Sequence, residues 1–90
     1  MAIKVNISPL LKHATNGVKV TEVNGDTVSQ CLDHLVKQFP NIQQILFNKN
    51  GKLYEYVDIY INGESTYPKE LAKPVKDGDE LSIMLTIGGG

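Results

Sequence analysis

The chain is poor in the features that mark many functional classes. It holds a single cysteine, Cys31, among 90 residues. No internal disulfide can form, and no Cys/His spacing suits zinc. No apolar run approaches the ~18 residues of a membrane span, and the first residues show no charged-then-apolar leader pattern. Formal net charge is only −1. That argues against a general nucleic-acid binder, which carries a basic stripe. No glycine-rich loop lies between a strand and a helix to cradle phosphate. These absences lead us to expect a cytoplasmic protein that engages neither membrane nor nucleic acid and holds no stable cofactor or metal.

What is present reads as an ordinary folded protein, with 41% hydrophobic and 21% charged residues. Ninety residues make one small domain, able to bury ~60–65% of its unfolded surface. There is no room for a cofactor domain beside a substrate domain.

Alternation gives the strands. Ile3, Val5 and Ile7 face one way and Lys4 and Asn6 the other, until Pro9 ends the ladder. A connector follows, with Leu10 and Leu11 expected over the core edge and Asn16-Gly17 as a turn. Val18, Val20 and Glu22 begin a second strand on the same hairpin, ending near Val23. Leu53 to Ile61 alternates throughout, with Val57, Ile59 and Ile61 inward and Tyr54, Tyr56, Asp58 and Tyr60 outward. Asn62-Gly63 turns the chain. Pro68 to Pro74 is irregular, with room for one helical turn, and Asp77-Gly78-Asp79 makes a tight reversal.

Helical spacing appears once at length. Val28, Cys31, Leu32, Leu35, Val36 and Phe39 form one apolar stripe. Thr27 and Gln30 before it have the form of a capping box, and Pro40 supplies the stop. Residues from Asn41 to Phe47 suit a short second helix. The order is strand, strand, helix, short helix, strand, turn-rich loop, strand. With the first and last strands side by side, the intervening chain is the crossover that a parallel pair needs. The expected fold is α+β: a β-grasp, with a mixed sheet curled over one main helix.

The last ten residues, Leu81 to Gly90, open as a strand and end as bare backbone. Leu81, Ile83 and Leu85 alternate with Ser82, Met84 and Thr86. Side chains then vanish at Gly88, Gly89 and Gly90. A triglycine contributes nothing to a core. The structural reading is a frayed end; the functional one is a thin arm whose carboxylate enters a narrow site on another protein. The stretch from Thr86 to Gly90 could extend roughly 16 Å at about 3.3 Å per residue. We therefore expect a domain over residues 1–87 and a flexible tail over 88–90.

Other candidates carry blander readings. Cys31 lies on the apolar stripe and reads as a core thiol, although His34 stands three residues away. Asp77, Asp79 and Glu80 cluster near one turn; turn chemistry outweighs cation recruitment, and Asp79 is expected to accept from the Leu81 N–H. Met84, Tyr56 and Tyr60 share the outward parity of their strands. They make a candidate docking patch, against a background of plain strand propensity.

The ordered set of Ile3-Lys4-Val5, Thr27-Val28, Phe39-Pro40, Ile61-Asn62-Gly63, Lys76-Asp77-Gly78-Asp79-Glu80-Leu81 and terminal Gly89-Gly90 resembles the ubiquitin-like sulfur carrier proteins. That family includes the small molybdopterin synthase subunit and the thiamine sulfur carrier. The resemblance spans nearly the whole chain. It departs from the family at Leu85-Thr86-Ile87, where a proline-containing segment is common, and at Gly88, where alanine is common; the tail should be looser at its base. The resemblance implies a protein cosubstrate rather than an enzyme. An E1-like adenylating enzyme would activate Gly90 with ATP, a sulfur donor would supply the thiocarboxylate, and an acceptor synthase would take the sulfur. Gly89 would provide clearance, and Met84, Tyr60, Tyr56 and Gly88 would meet the partner. Two alternatives remain: a ubiquitin-like modifier joined through Gly90, and a passive interaction module.

Overall fold

The computed structural model describes residues 2–86. Strand β1 (Ala2–Ile7) buries Ile3, Val5 and Ile7. Strand β5 (Glu80–Leu85) buries Leu81 and Ile83 and lies parallel to β1, with Val5 opposite Leu81 and Ile7 opposite Ile83. On the other side of β5, β3 (Val57–Ile61) runs antiparallel, placing Ile59 opposite Ile83. Strand β2 (Val20–Asn24) pairs antiparallel with β1, and β4 (Glu64–Ser65) with β3. The sheet order is β2-β1-β5-β3-β4. The β-grasp expected from element order is the fold observed.

One helix covers the apolar face. Helix α1 (Val28–Gln38) buries Val28, Cys31, Leu32 and Leu35. Each fully buried leucine contributes about 1.5–3 kcal/mol from removal of apolar surface. The Thr27 hydroxyl accepts from the Gln30 N–H at 3.2 Å. The Gln30 side chain reaches back one residue further than a standard box, accepting from the Asp26 N–H at 2.7 Å. A free N–H of the first turn is met from outside: Val28 N–H donates to the Lys73 carbonyl at 2.9 Å. Side chains of α1 also cover the open edge of β2. His34 Nδ1 accepts from the Asn24 N–H at 2.8 Å, and Gln38 Nε2 donates to the Glu22 carbonyl at 3.0 Å. Polar groups of an edge strand that would otherwise stay open are thus closed by the helix. A 3-10 turn at Pro40–Ile42 and helix α2 (Gln43–Leu46) follow, burying Ile42 and Leu46.

Three expectations need correction, and a fourth is met and extended. The inward face of β2 is Thr21 and Val23, whereas Val20 is exposed. Directly paired residues share a face, and Val20 lies opposite the outward Asn6. Val18 precedes the strand, where its carbonyl accepts from the Thr15 hydroxyl. Leu11 is buried but Leu10 is exposed, because the 3-10 turn Pro9–Leu11 sends neighbouring side chains apart. The long alternation from Leu53 is not one strand. Leu53 bridges Phe47, and the Val57 N–H turns back to the Tyr54 carbonyl at 3.0 Å, so β3 begins only at Val57. Finally, Asn62-Gly63 does more than reverse the chain. Both residues have positive φ, as a two-residue hairpin turn of the primed type requires, and β4 returns along β3.

Gly25 sits where the loop meets the first turn of α1. A Cβ there would lie 2.9 Å from Cys31 N and 3.0 Å from Cys31 Sγ. Gly25→Ala should therefore lower stability by about 1–3 kcal/mol through overpacking, read from urea-unfolding midpoints. An unchanged midpoint would contradict the close approach.

Candidate functional site

The centre of the sheet delivers the last strand to one end of the molecule. Strand β5 is held by β1 from Glu80 to Ile83 and by β3 from Leu81 to Leu85, which fixes its direction up to the last pair. The final cross-strand pair is Val57 with Leu85. Beyond it the Thr86 N–H donates to the Tyr56 carbonyl at 2.8 Å, and the Thr86 hydroxyl donates to Asp58 Oδ2 at 2.6 Å. The base of the tail, expected to be loose for want of proline, thus has two hydrogen bonds. Proline could make neither. Gly88, Gly89 and Gly90, the tail residues singled out from sequence, lie outside the described residues, as does Ile87.

Around this exit the outer sheet face carries a small apolar group. Met84 is 47% exposed and stands opposite Asp58. Tyr60 is on the same face, half-buried, opposite Ser82 and Ser65. Tyr56 does not join that row. It precedes β3, stacks on Tyr54 with ring centroids 5.1 Å apart, and donates its hydroxyl to the Ile45 carbonyl. Burial, and then the neighbouring Tyr54, push the Tyr56 phenol above its ordinary value. Tyr56 still borders the exit through its carbonyl. Beside it a surface groove of about 690 Å³ runs between Tyr54, Val57 and Asp58 and the loop bearing Tyr67 and Leu71.

The acidic turn is a structural clamp. Asp79 Oδ2 accepts from the Lys76 N–H at 2.8 Å and Oδ1 from Asn62 Nδ2 at 3.0 Å. Its expected acceptor role is thus real, but the donors are Lys76 and Asn62 rather than the Leu81 N–H. Asn62 Oδ1 in turn accepts from the Glu80 N–H, and Asp77 Oδ1 from the Ala2 N–H. Starts of β1 and β5 are thereby tied to the β3–β4 turn. The hydrogen bond from Asn62, then that from Lys76, hold the Asp79 carboxyl below its ordinary value. Glu80 is held down chiefly by Lys4, whose Nζ lies 3.2 Å away. No cluster of three or more metal-ligating side chains occurs among the described residues.

Cys31 is a core thiol. It is fully buried, and desolvation pushes its thiol upward, away from the reactive thiolate. His34 Nδ1 is engaged with the backbone of Asn24. What sequence reasoning missed is the Asp58–Thr86 bond. Its partners are 28 residues apart, and only the β3–β5 register brings them together.

Comparison with known proteins bears on this exit. Residues 10–90 match the model described as the ThiS family. The sulfur carrier protein CysO of Mycobacterium tuberculosis is 31% identical over 93 aligned positions, spanning all of both chains. Small archaeal modifier protein 1 of Haloferax volcanii is 34% identical over 70 positions, 77% of each chain. Among solved structures, a chain of the Amycolatopsis orientalis BexX/CysO complex superposes with a TM-score of 0.87 at 31% identity, covering 98% of this chain and 99% of that one. No described helix is long and apolar enough to cross a membrane.

The clamp has a pH signature. A carboxyl depressed on folding stabilises the fold above its unfolded value, ordinarily 3.8 for Asp79, and that contribution is lost as pH falls through the lower folded value. Asp79→Ala should lower the urea midpoint at pH 7. Its deficit against the wild type should shrink as pH falls below that range. A deficit constant from neutral pH into strong acid would mean that the charge of Asp79 is not what matters.

Proposed function

The chain belongs to the ThiS family, and we propose that it works as a sulfur carrier through the carboxylate of Gly90. It is a protein substrate, not a catalyst. The observation that carries this reading is the end-to-end similarity to the sulfur carrier protein CysO, diglycine tail included in the aligned span. The architecture supports it. Strand β5 lies at the sheet centre and ends at Leu85, and the sequence after Thr86 is Ile87 followed by three glycines.

The chemistry follows from the carboxylate. It is a poor electrophile because its charge is delocalised and solvated. In this reading the adenylating partner binds ATP, and a Gly90 oxygen attacks the α-phosphorus, forming the acyl-adenylate and releasing pyrophosphate. A hydrosulfide-equivalent from the sulfur donor then attacks the acyl carbon. AMP leaves with the C–O bond electrons, and Gly90 carries a thiocarboxylate. On an acceptor synthase the sulfur bonds to the acceptor, water then attacks the acyl carbon, the C–S bond breaks with its electrons leaving on sulfur, and the restored carboxylate re-enters the cycle. The nucleotide site and the sulfur nucleophile belong to the partners. Gly89, and Gly88 before it, keep the approach as thin as a backbone.

Docking uses the outer face beside the exit. Met84 is an adaptable apolar contact with Tyr60 near it and Tyr56 at the border. A CysO chain has been solved in complex with BexX, which supports engagement of a partner protein. A second reading, conjugation through Gly90 to lysine on target proteins, is favoured by the likeness to small archaeal modifier protein 1. The two differ in product: a thiocarboxylate on this chain, or an isopeptide remnant on another.

Intact mass after incubation with the cognate adenylating enzyme, ATP and sulfide tests the carrier reading. Replacement of one oxygen by sulfur, localised to Gly90, is expected in the wild type and absent after deletion of Gly90. Gly89→Ala should slow loading by at least about tenfold, the cost of misplacing a reacting group. Full loading of the deleted chain would sink the assignment of Gly90. Met84→Glu should remain folded and weaken partner binding roughly tenfold or more, as loss of a central apolar contact does. Unchanged affinity by calorimetry would remove Met84 from the docking face.

A further inference from the structure

We infer that Asp58 is a positioning residue for the C-terminal tail, acting through Thr86. This rests on the carrier reading above and adds to it a device within the fold. Thr86 is the last described residue, and two bonds from β3 and its entry meet it: the Tyr56 carbonyl on its N–H and the Asp58 carboxylate on its hydroxyl. Asp58 stands directly opposite Met84 in the β3–β5 pair. Thr86, two residues beyond Met84, is on the same outer face. The Thr86–Asp58 bond is therefore a diagonal tie, laid alongside the Met84 contact.

The tie acts on reach and direction. Four residues follow Thr86, spanning at most about 13 Å. A partner that grips the sheet face at Met84 must receive the Gly90 carboxylate at one point. With Thr86 held, the segment starts from a fixed point and heading relative to that grip. With Thr86 released, the heading varies and the reacting group is less often in place. Asp58 has no ion-pair partner among the described residues, and its hydrogen bond is to the Thr86 hydroxyl. The tie takes the place of the stiffening that a proline would give. A hydroxyl at 86 and a carboxylate at 58 set the tail by hydrogen bonding instead.

The test compares Thr86→Val, which keeps the shape without the hydroxyl, with Thr86→Ser, which keeps the hydroxyl. Asp58→Ala and Asp58→Asn form the matching pair on β3. Thiocarboxylate formation is followed by intact mass across carrier concentrations, with the cognate adenylating enzyme, ATP and sulfide. Hydrogen exchange of the residue-86 amide is read in parallel. Thr86→Val and Asp58→Ala should each lower kcat about three- to tenfold, and Thr86→Val, which leaves the Met84–Asp58 pair in place, should keep KM within about twofold. Both should speed exchange at residue 86 while core amides stay protected. Thr86→Ser and Asp58→Asn should stay within about twofold of wild type. The double variant should be no slower than the slower single one, since both remove one bond. Wild-type kcat in Thr86→Val, or losses that multiply in the double variant, would overturn the tie while leaving the carrier reading intact. A wild-type chain that takes up no sulfur would bring down both.

Discussion

The parallel pairing of β1 with β5 is the constraint on which the rest of the molecule depends. A parallel neighbour cannot be reached by a tight turn, so the chain must cross over between them. The crossover contains β2, α1, α2, β3 and β4, and α1 is the piece long enough to cover the sheet's apolar face. With the last strand at the sheet centre, Leu81 and Ile83 are buried in one core with the apolar residues of α1, and both neighbouring strands register on them. The pairing starts at a clamp. Asp77 takes the Ala2 N–H, Asp79 takes Lys76 and Asn62, and the Lys4 N–H meets the Asp79 carbonyl. These carboxylates, read from sequence as turn chemistry before cation recruitment, act as joinery in the fold.

A one-layer sheet with a single covering helix leaves its other face to solvent. That explains why Met84, Val20 and Tyr60 can remain accessible without harm to the core, and why the outer rows also include Lys4, Asn6, Glu22, Asp58, Glu80 and Ser82. In the proposed carrier reading, the docking residue Met84 lies on β5, the strand that precedes the glycine tail in sequence. From Glu80 to Ile83 the strand is paired with β1, and from Leu81 to Leu85 with β3, so the backbone around Met84 cannot shift without breaking its pairs with Val57 and Asp58. The Asp58–Thr86 bond extends this rigidity one residue past the ladder.

Much of this was legible in the residues. The capping pair Thr27 and Gln30, the stripe through Leu35, the stop at Pro40 and the alternation of β1 and β5 are local, and local patterns report local geometry. The parity of β2 was not. Val18, Val20 and Glu22 alternate in sequence, yet the pairing of Val20 with Asn6 turns the opposite set inward. Nor was the break at Tyr54 to Tyr56. Period-two alternation there reflects tyrosines that stack and bond to α2 rather than a strand. Strand β4 is two residues long and carries no periodicity to read.

The sequence by itself determined the identity and order of the main elements, the apolar face of each long one, and the bare glycine end. Those follow from side-chain period, capping chemistry and the absence of Cβ atoms, all properties of neighbouring residues. Only the tertiary structure decided the β2 register, the clamp that gathers Asn62 and Asp79, and the meeting of Asp58 with Thr86. Each of these joins residues far apart in the chain, and their distance is set by how strands pair in space, which no local pattern encodes.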